Sequence, residues 1–134
     1  MSDFQIVSDD AEVYAEIVRR FEAYNTSRTD WGSTVFSIVQ RDNERIVAAA
    51  RGITNMGLVE VRGVWVDEGL REHGIGRALM NELEAEARRR GCTRAALDTY
   101  SWQASGFYMR LGYREYAKLD YPNGTSRHFF EKDL

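Results

Sequence analysis

The stretch of this 134-residue chain with the most chemistry in it runs Val64-Trp65-Val66-Asp67-Glu68-Gly69-Leu70-Arg71-Glu72-His73-Gly74-Ile75-Gly76-Arg77-Ala78-Leu79. A strand-like apolar run enters an Arg-x-x-Gly-x-Gly loop, and the loop opens directly into an amphipathic helical pattern. Such an arrangement suits an anion. The first turn of a helix carries unpaired N–H groups and a partial positive charge, and glycines let a phosphate approach the backbone closely. Arg71 and Arg77 flank the loop and can add charge-assisted hydrogen bonds. The loop lacks the Gly-Lys-Ser/Thr ending of a Walker A sequence. It has two of the three glycines of the dinucleotide fingerprint, and no βα unit precedes it. The same residues also fit a flexible helix start that holds no ligand.

Few other residues compete for a chemical role. Cys92 is the only cysteine and follows Gly91 at the start of an apolar strand, so it reads as a buried structural thiol. A single cysteine excludes an internal disulfide and a Cys-rich zinc site. His73 and His128 are the only histidines and lie far apart in the sequence, and no His/Asp/Glu spacing suggests a metal site. Tyr24, Trp31, Tyr100, Trp102 and Tyr121 could wall a pocket, although aromatics more often fill core.

The elements that must position the loop follow from the hydrophobic pattern. Gly74 to Arg90 reads as a helix with Ile75, Leu79, Leu83 and Ala87 at four-residue intervals and Ala78 and Met80 widening the stripe. Glu82, Glu84, Glu86 and Arg88 to Arg90 are expected on its solvent side, with the arginines complementing the dipole at its carboxyl end. Before it, Phe4 to Val7 is a short β-like opening. Ser8, Asp9 and Asp10 offer caps for a helix bearing Val13, Ile17, Val18 and Phe21. A polar connection through Gly32 leaves room for a short second helix. Thr34 to Val39 and Ile46 to Ala50 read as a hairpin, although the run of alanines is equally compatible with helix, and Leu58 to Val66 reads as a strand with Leu58, Glu60, Arg62, Val64 and Val66 on one face. After the long helix come a strand from Thr93 to Tyr100, a short helix from Trp102 to Leu111, and strands over Tyr113–Leu119 and Ser126–Lys132 around Tyr121-Pro122-Asn123-Gly124. The order is β-α-β-β-β-α-β-α-β-β, an α/β fold with a central mixed sheet flanked by helices.

Composition narrows the classes. Eighteen basic side chains against 21 acidic ones give a net charge of −3, which weighs against general nucleic-acid binding. No apolar run approaches the roughly 20 residues of a membrane helix, and the acidic start does not resemble a targeting peptide. The expectation is a soluble cytoplasmic protein with residues 1–134 as a single domain.

Two motifs together carry a family resemblance. Arg-x-x-Gly-x-Gly-Arg-Ala-Leu between strand and long helix, followed by Ala104-Ser105-Gly106-Phe107-Tyr108-x-x-x-Gly112-Tyr113, resembles the GNAT (Gcn5-related) N-acetyltransferases. The resemblance runs from about Val35 to the end and is sharpest from Leu58 to Tyr113. It implies that Val64, Trp65 and Val66 offer backbone to the pantetheine arm of acetyl-CoA. The loop amides of Arg71, Glu72, His73, Gly74, Ile75, Gly76 and Arg77 would then take the pyrophosphate. Tyr108 falls on the family's tyrosine that protonates the departing thiolate, a role suited to a phenol that is neutral at pH 7. Glu60 lies 11 residues before Arg71, where some members carry a glutamate base, and an ion pair with Arg62 is its plain alternative. Ser101 stands where the family often has an asparagine touching the cofactor arm. A serine there has a shorter reach but can cap the short helix.

The implied activity is transfer of an acetyl group from acetyl-CoA to a primary amine of a small molecule, by direct attack in a ternary complex and without a metal. The implied partners are acetyl-CoA and an amine acceptor, with no nucleic acid or membrane, in a homodimer by family expectation. The alternatives are a non-catalytic acyl-CoA sensor, or an acetyltransferase acting on a protein or aminoacyl-tRNA amine.

Overall fold

The structure, a computed structural model, describes residues 3–134. Two units are distinct: a short one ending at Gly32 and a larger one spanning Ser33–Leu134. The first holds helix α1 (Ala11–Thr26), whose Asp10 carbonyl accepts the N–H of Tyr14 at 2.8 Å. None of its residues is buried, and Glu16 pairs with Arg19 and Arg20 at 2.6 and 2.7 Å. The expected strand over Phe4–Val7 does not form. Phe4 and Ile6 are 100% and 98% exposed, and a strand needs a ladder neighbour that this four-residue run lacks among the described residues. No second helix follows α1, because the chain leaves Thr26 through a turn.

The larger unit comprises β1 (Thr34–Asp42), β2 (Arg45–Asn55), β3 (Leu58–Val66), a 3-10 turn (Glu68–Leu70), α2 (Ile75–Arg89), β4 (Arg94–Tyr100), α3 (Ser105–Arg110), β5 (Arg114–Asp120) and β6 (Ser126–Asp133). The six strands form one mixed sheet in the order β1-β2-β3-β4-β6-β5. Only β3 and β4 run parallel, joined through α2 as a parallel crossover requires. α2 buries Leu79, Met80, Leu83 and Ala87, the expected stripe, in a core shared with Phe36, Val59, Val61, Leu97 and Phe130. Each fully buried side chain of the leucine or methionine kind contributes about 1.5–3 kcal/mol, so this face anchors the helix. Ala78 is exposed and does not widen the stripe.

Two expectations are corrected by long-range contacts. Glu84 is not solvated. It is 3% exposed, with Tyr113 Oη donating to its Oε2 at 2.8 Å and Lys132 Nζ to its Oε1 at 2.8 Å. The face of β3 also changes along its length. Ala50 pairs with Val64 but Gly52 with Val61, so two steps on β2 match three on β3 and a bulge falls at Arg62-Gly63. That extra residue places Val64 and Val66 on the core side with Val59 and Val61. Glu60 and Trp65 then share the opposite face.

Candidate functional site

The bulged strand is also the strand that separates from its neighbour. β3 and β4 are paired only at Leu58–Arg94, Val59–Ala95 and Glu60–Ala96. Beyond that point β3 continues to Val66 against β2 alone, and β4 to Tyr100 against β6 alone. The sheet is therefore forked, with the backbone edges of residues 61–66 and 97–100 facing an opening that no ladder closes among the described residues. The open end of the fork leads from Val66 through the 3-10 turn into the start of α2.

The start of α2 is built for an anion. Gly74 is its N-cap with φ +80°, a left-handed conformation natural to glycine, and no side chain caps the helix. The first intrahelical bond is Ala78 N–H to the Gly74 carbonyl, so by helix geometry the N–H groups of Ile75, Gly76 and Arg77 have no partner within the helix. Gly76 has a second reason to be glycine. A Cβ there would lie 3.2 Å from Cζ of Phe107 in α3, so the two sequence motifs meet at this contact.

Arg71 behaves differently from the simple flanking cation expected. Its Nε donates to the Val66 carbonyl at 2.9 Å, and its guanidinium lies over the Trp65 ring at 4.9 Å. Trp65 Nε1 donates to Asp67 at 2.9 Å, and Arg45 pairs with Asp67 at 2.7 Å. The Trp65 indole bond, reinforced by Arg45, holds the Asp67 carboxyl below its usual range. These contacts pin the strand end to the loop. The Trp-x-Asp spacing of an i, i+2 pair on one strand face was a signal available for this link. Glu72, His73, Gly74 and Arg77 are exposed around the loop, and Glu72 shares its left-handed backbone with φ +66°. A shallow depression of about 710 Å³, lined by Arg41, Asp42, Arg45, Asp67 and Leu70 among others, lies between the β1–β2 turn and the 3-10 turn. The fork itself is an open edge rather than a cavity.

The remaining predicted residues divide. Tyr108 sits on α3, edge-on to Phe107 at 5.0 Å and to Tyr113 at 6.0 Å, with Phe130 at 6.5 Å. Burial pushes its phenol above the usual range. Glu60 stands at the crotch of the fork, half exposed, with Arg62 Nε at 3.0 Å. The Ser101 hydroxyl accepts the Ser126 N–H at 3.2 Å instead of capping α3, whose N-cap Ala104 makes no side-chain bond. Cys92 is buried and its thiol is pushed up by that burial, as befits a structural thiol. Tyr24 and Trp31 belong to the N-terminal unit, whereas Tyr100, Trp102 and Tyr121 cluster beyond the end of β4.

A sheet forked between two parallel strands, with an uncapped helix N-terminus at its mouth, defines an α/β protein that can hold an extended anionic ligand by backbone. Residues 4–113 match the Acetyltransferase (GNAT) family, and the chain belongs to that family. Its members use acetyl-CoA as acetyl donor, and the chain is an acyltransferase by that membership. It is 30% identical over 118 residues to an acetyltransferase of Agrobacterium fabrum, covering 85% of this chain and 86% of that one. It is 44% identical over 73 residues to the blasticidin-S acetyltransferase of Streptomyces morookaense, covering 53% of this chain and 54% of that protein's length. The crystal structure of an acetyltransferase from Bacillus cereus superposes with TM-score 0.86 at 33% identity, over 100% of this chain and 99% of that one. No helix among the described residues is long and apolar enough to cross a membrane.

Proposed function

We propose that this acetyltransferase moves the acetyl group of acetyl-CoA to a primary amine of a small molecule, by direct attack within a ternary complex. The observation that carries the reading is the fork: β3 leaves β4 after Glu60–Ala96 and delivers its free edge to the uncapped start of α2. The backbone of Val64, Trp65 and Val66 offers hydrogen bonds to an extended pantetheine arm. The first-turn amides after Gly74, with neighbouring loop amides from Arg71 to Arg77, suit a pyrophosphate. Acetyl-CoA supplies the thioester. Arg71, bound to the Val66 carbonyl, holds strand and loop in register and adds positive charge beside them. The Ser101 hydroxyl accepts the Ser126 N–H, which leaves its own O–H to donate toward the cofactor arm.

The chemistry requires an uncharged amine, since an ammonium has no lone pair with which to attack. Glu60 accepts the amine's proton, directly or through water, and its pairing with Arg62 keeps it near the crotch of the fork. The amine nitrogen bonds to the acetyl carbon while the carbon–sulfur bond breaks. A backbone N–H on the free β3 edge meets the charge that develops on the carbonyl oxygen. Tyr108 gives its proton to the departing sulfur and recovers one from solvent. Burial favours the neutral phenol, so the donor form prevails at neutral pH.

The relative named blasticidin-S acetyltransferase supports a small-molecule acceptor. The test is release of coenzyme A from acetyl-CoA across a panel of primary amines, with mass detection of the acetylated product. Amine-dependent release of thiol and product in equal amounts is the expected result. An absence of release with every amine, despite tight acetyl-CoA binding, would instead support a non-catalytic sensor. The same reading includes a cytoplasmic homodimer, for which sedimentation of the purified protein gives the oligomeric state.

A further inference from the structure

Two of the three tryptophans are more than half exposed, Trp65 at 58% and Trp102 at 64%. They flank the two arms of the fork. Trp65 lies on β3, on the face shared with Glu60. Trp102 follows β4 and lies flat on Tyr100, with ring centroids 4.7 Å apart and planes 16° from parallel. Tyr100 is on the Glu60 face as well, because Ala95, Leu97 and Thr99 are the buried residues of β4 and Ala96 pairs with Glu60.

The Tyr100 ring is braced from several directions. The Arg127 guanidinium is 5.7 Å from its centroid, and that guanidinium is held by Asp98 at 2.8 Å. Tyr121 lies 5.9 Å away with its ring tilted by 42°. Trp102 is thus the outer member of a supported stack. One ring face is covered by Tyr100, while the side chain as a whole leaves most of its area to water. Indole surface of this kind is unfavourable in water and is used well by a partner that lies flat on it.

The position matters as much as the exposure. Starting from the Glu60–Ala96 pair, Tyr100 is four residues along β4. Val64 is four along β3, one of them taken up by the bulge. At about 3.3 Å per residue the Tyr100–Trp102 stack is therefore roughly level with Val64 and Trp65 across the opening. An acceptor entering on the Glu60 face meets this stack on one arm and Trp65 on the other.

We propose that Trp102, stacked on Tyr100, is a shelf for the acceptor in the acetyl transfer proposed above, and that the acceptor is a primary amine carrying a flat conjugated ring on a short linker. The proposal rests on the acetyl-transfer reading. It deepens that reading by choosing ring-bearing amines over aliphatic ones. The ring extends the Tyr100–Trp102 stack, and the linker carries the amine into the opening between the two arms. An aliphatic chain gains contact area there but not the stacking geometry.

The test compares kcat/KM for tryptamine and 2-phenylethylamine with that for hexylamine, for the wild type, Trp102→Ala and Trp102→Phe. The wild type should prefer the ring-bearing amines. Trp102→Ala should lower the ratio of ring-bearing to aliphatic kcat/KM by about tenfold, the scale of a lost stacking partner, and Trp102→Phe should restore most of it. An unchanged ratio in Trp102→Ala, or a wild type that prefers hexylamine, would overturn the shelf and leave acetyl transfer intact. No coenzyme A release with any amine would overturn the acetyl-transfer reading instead. The shelf is then decided by calorimetric binding of tryptamine in the presence of coenzyme A. Binding about tenfold tighter to the wild type than to Trp102→Ala supports it, and equal binding overturns it.

Discussion

Tyr108 and Tyr113 stand at the two ends of the turn between α3 and β5, their rings 6.0 Å apart, yet their hydroxyls face different tasks. Both phenols are held above the usual range. At Tyr113 the cause is burial reinforced by the Glu84 carboxylate, which accepts its proton at 2.8 Å. At Tyr108 burial alone raises it. One proton is committed to a buried carboxylate that is also tied to Lys132. The other belongs to a phenol whose environment disfavours its anion, and no acceptor among the described residues takes its proton. The comparison separates a structural phenol from a candidate acid. In two adjacent tyrosines the partner of the hydroxyl, more than its depth, distinguishes the roles.

The largest expected break in that contrast is Tyr108→Phe. It should lower kcat by about 10²–10⁴-fold, the usual scale for a lost general acid, with little change in acetyl-CoA affinity by calorimetry. Removing the anion on the other side acts on stability. Glu84→Ala leaves Lys132 and Tyr113 without their buried partner and should cost about 3–5 kcal/mol in denaturant unfolding. Glu60→Gln should reduce kcat/KM by about 10²-fold near neutrality, the scale of a lost general base. An unaltered kcat/KM would leave Glu60 as the ion-pair partner of Arg62 and nothing more. Gly76→Ala is the mildest change. The Phe107 ring must give way to its Cβ, at about 1–3 kcal/mol of overpacking, so the readout is a modest fall in melting temperature with a higher KM for acetyl-CoA.

The pH behaviour of stability follows the same two phenols. Both folded values are raised, so their contribution is fully present below the unfolded phenol value of about 10 and is lost as pH climbs through the folded values. Phenolate absorbance during alkaline unfolding should therefore rise together with loss of structure.

Much of the candidate site's framework was legible because its signals are local. A strand running into Gly74 and Gly76 and then into the Leu79–Leu83–Ala87 stripe is a pattern of neighbours, and α2 follows it closely. Tyr108 was marked by the Phe107-Tyr108 motif, and the contact of Phe107 with Gly76 explains why the two motifs occur together. The most consequential misreadings depend on distant partners. Glu84 looks solvated by helical periodicity, but Tyr113 and Lys132 reach it from 29 and 48 residues away. The bulge at Arg62-Gly63 exists only as a mismatch between β2 and β3, so strict alternation put Val64 and Val66 on the wrong face. Phe4–Val7 has the composition of a strand, but composition does not supply the neighbour that a ladder requires.

The most direct measurement is kcat and melting temperature for Tyr108→Phe and Tyr113→Phe, assayed side by side with acetyl-CoA and an accepted amine. Opposite outcomes are expected. Tyr108→Phe keeps its melting temperature and loses at least about 10²-fold in kcat, while Tyr113→Phe loses about 1–3 kcal/mol of stability and keeps its kcat. A Tyr108→Phe protein within about twofold of wild-type kcat, a difference of less than 0.5 kcal/mol in barrier, would contradict it.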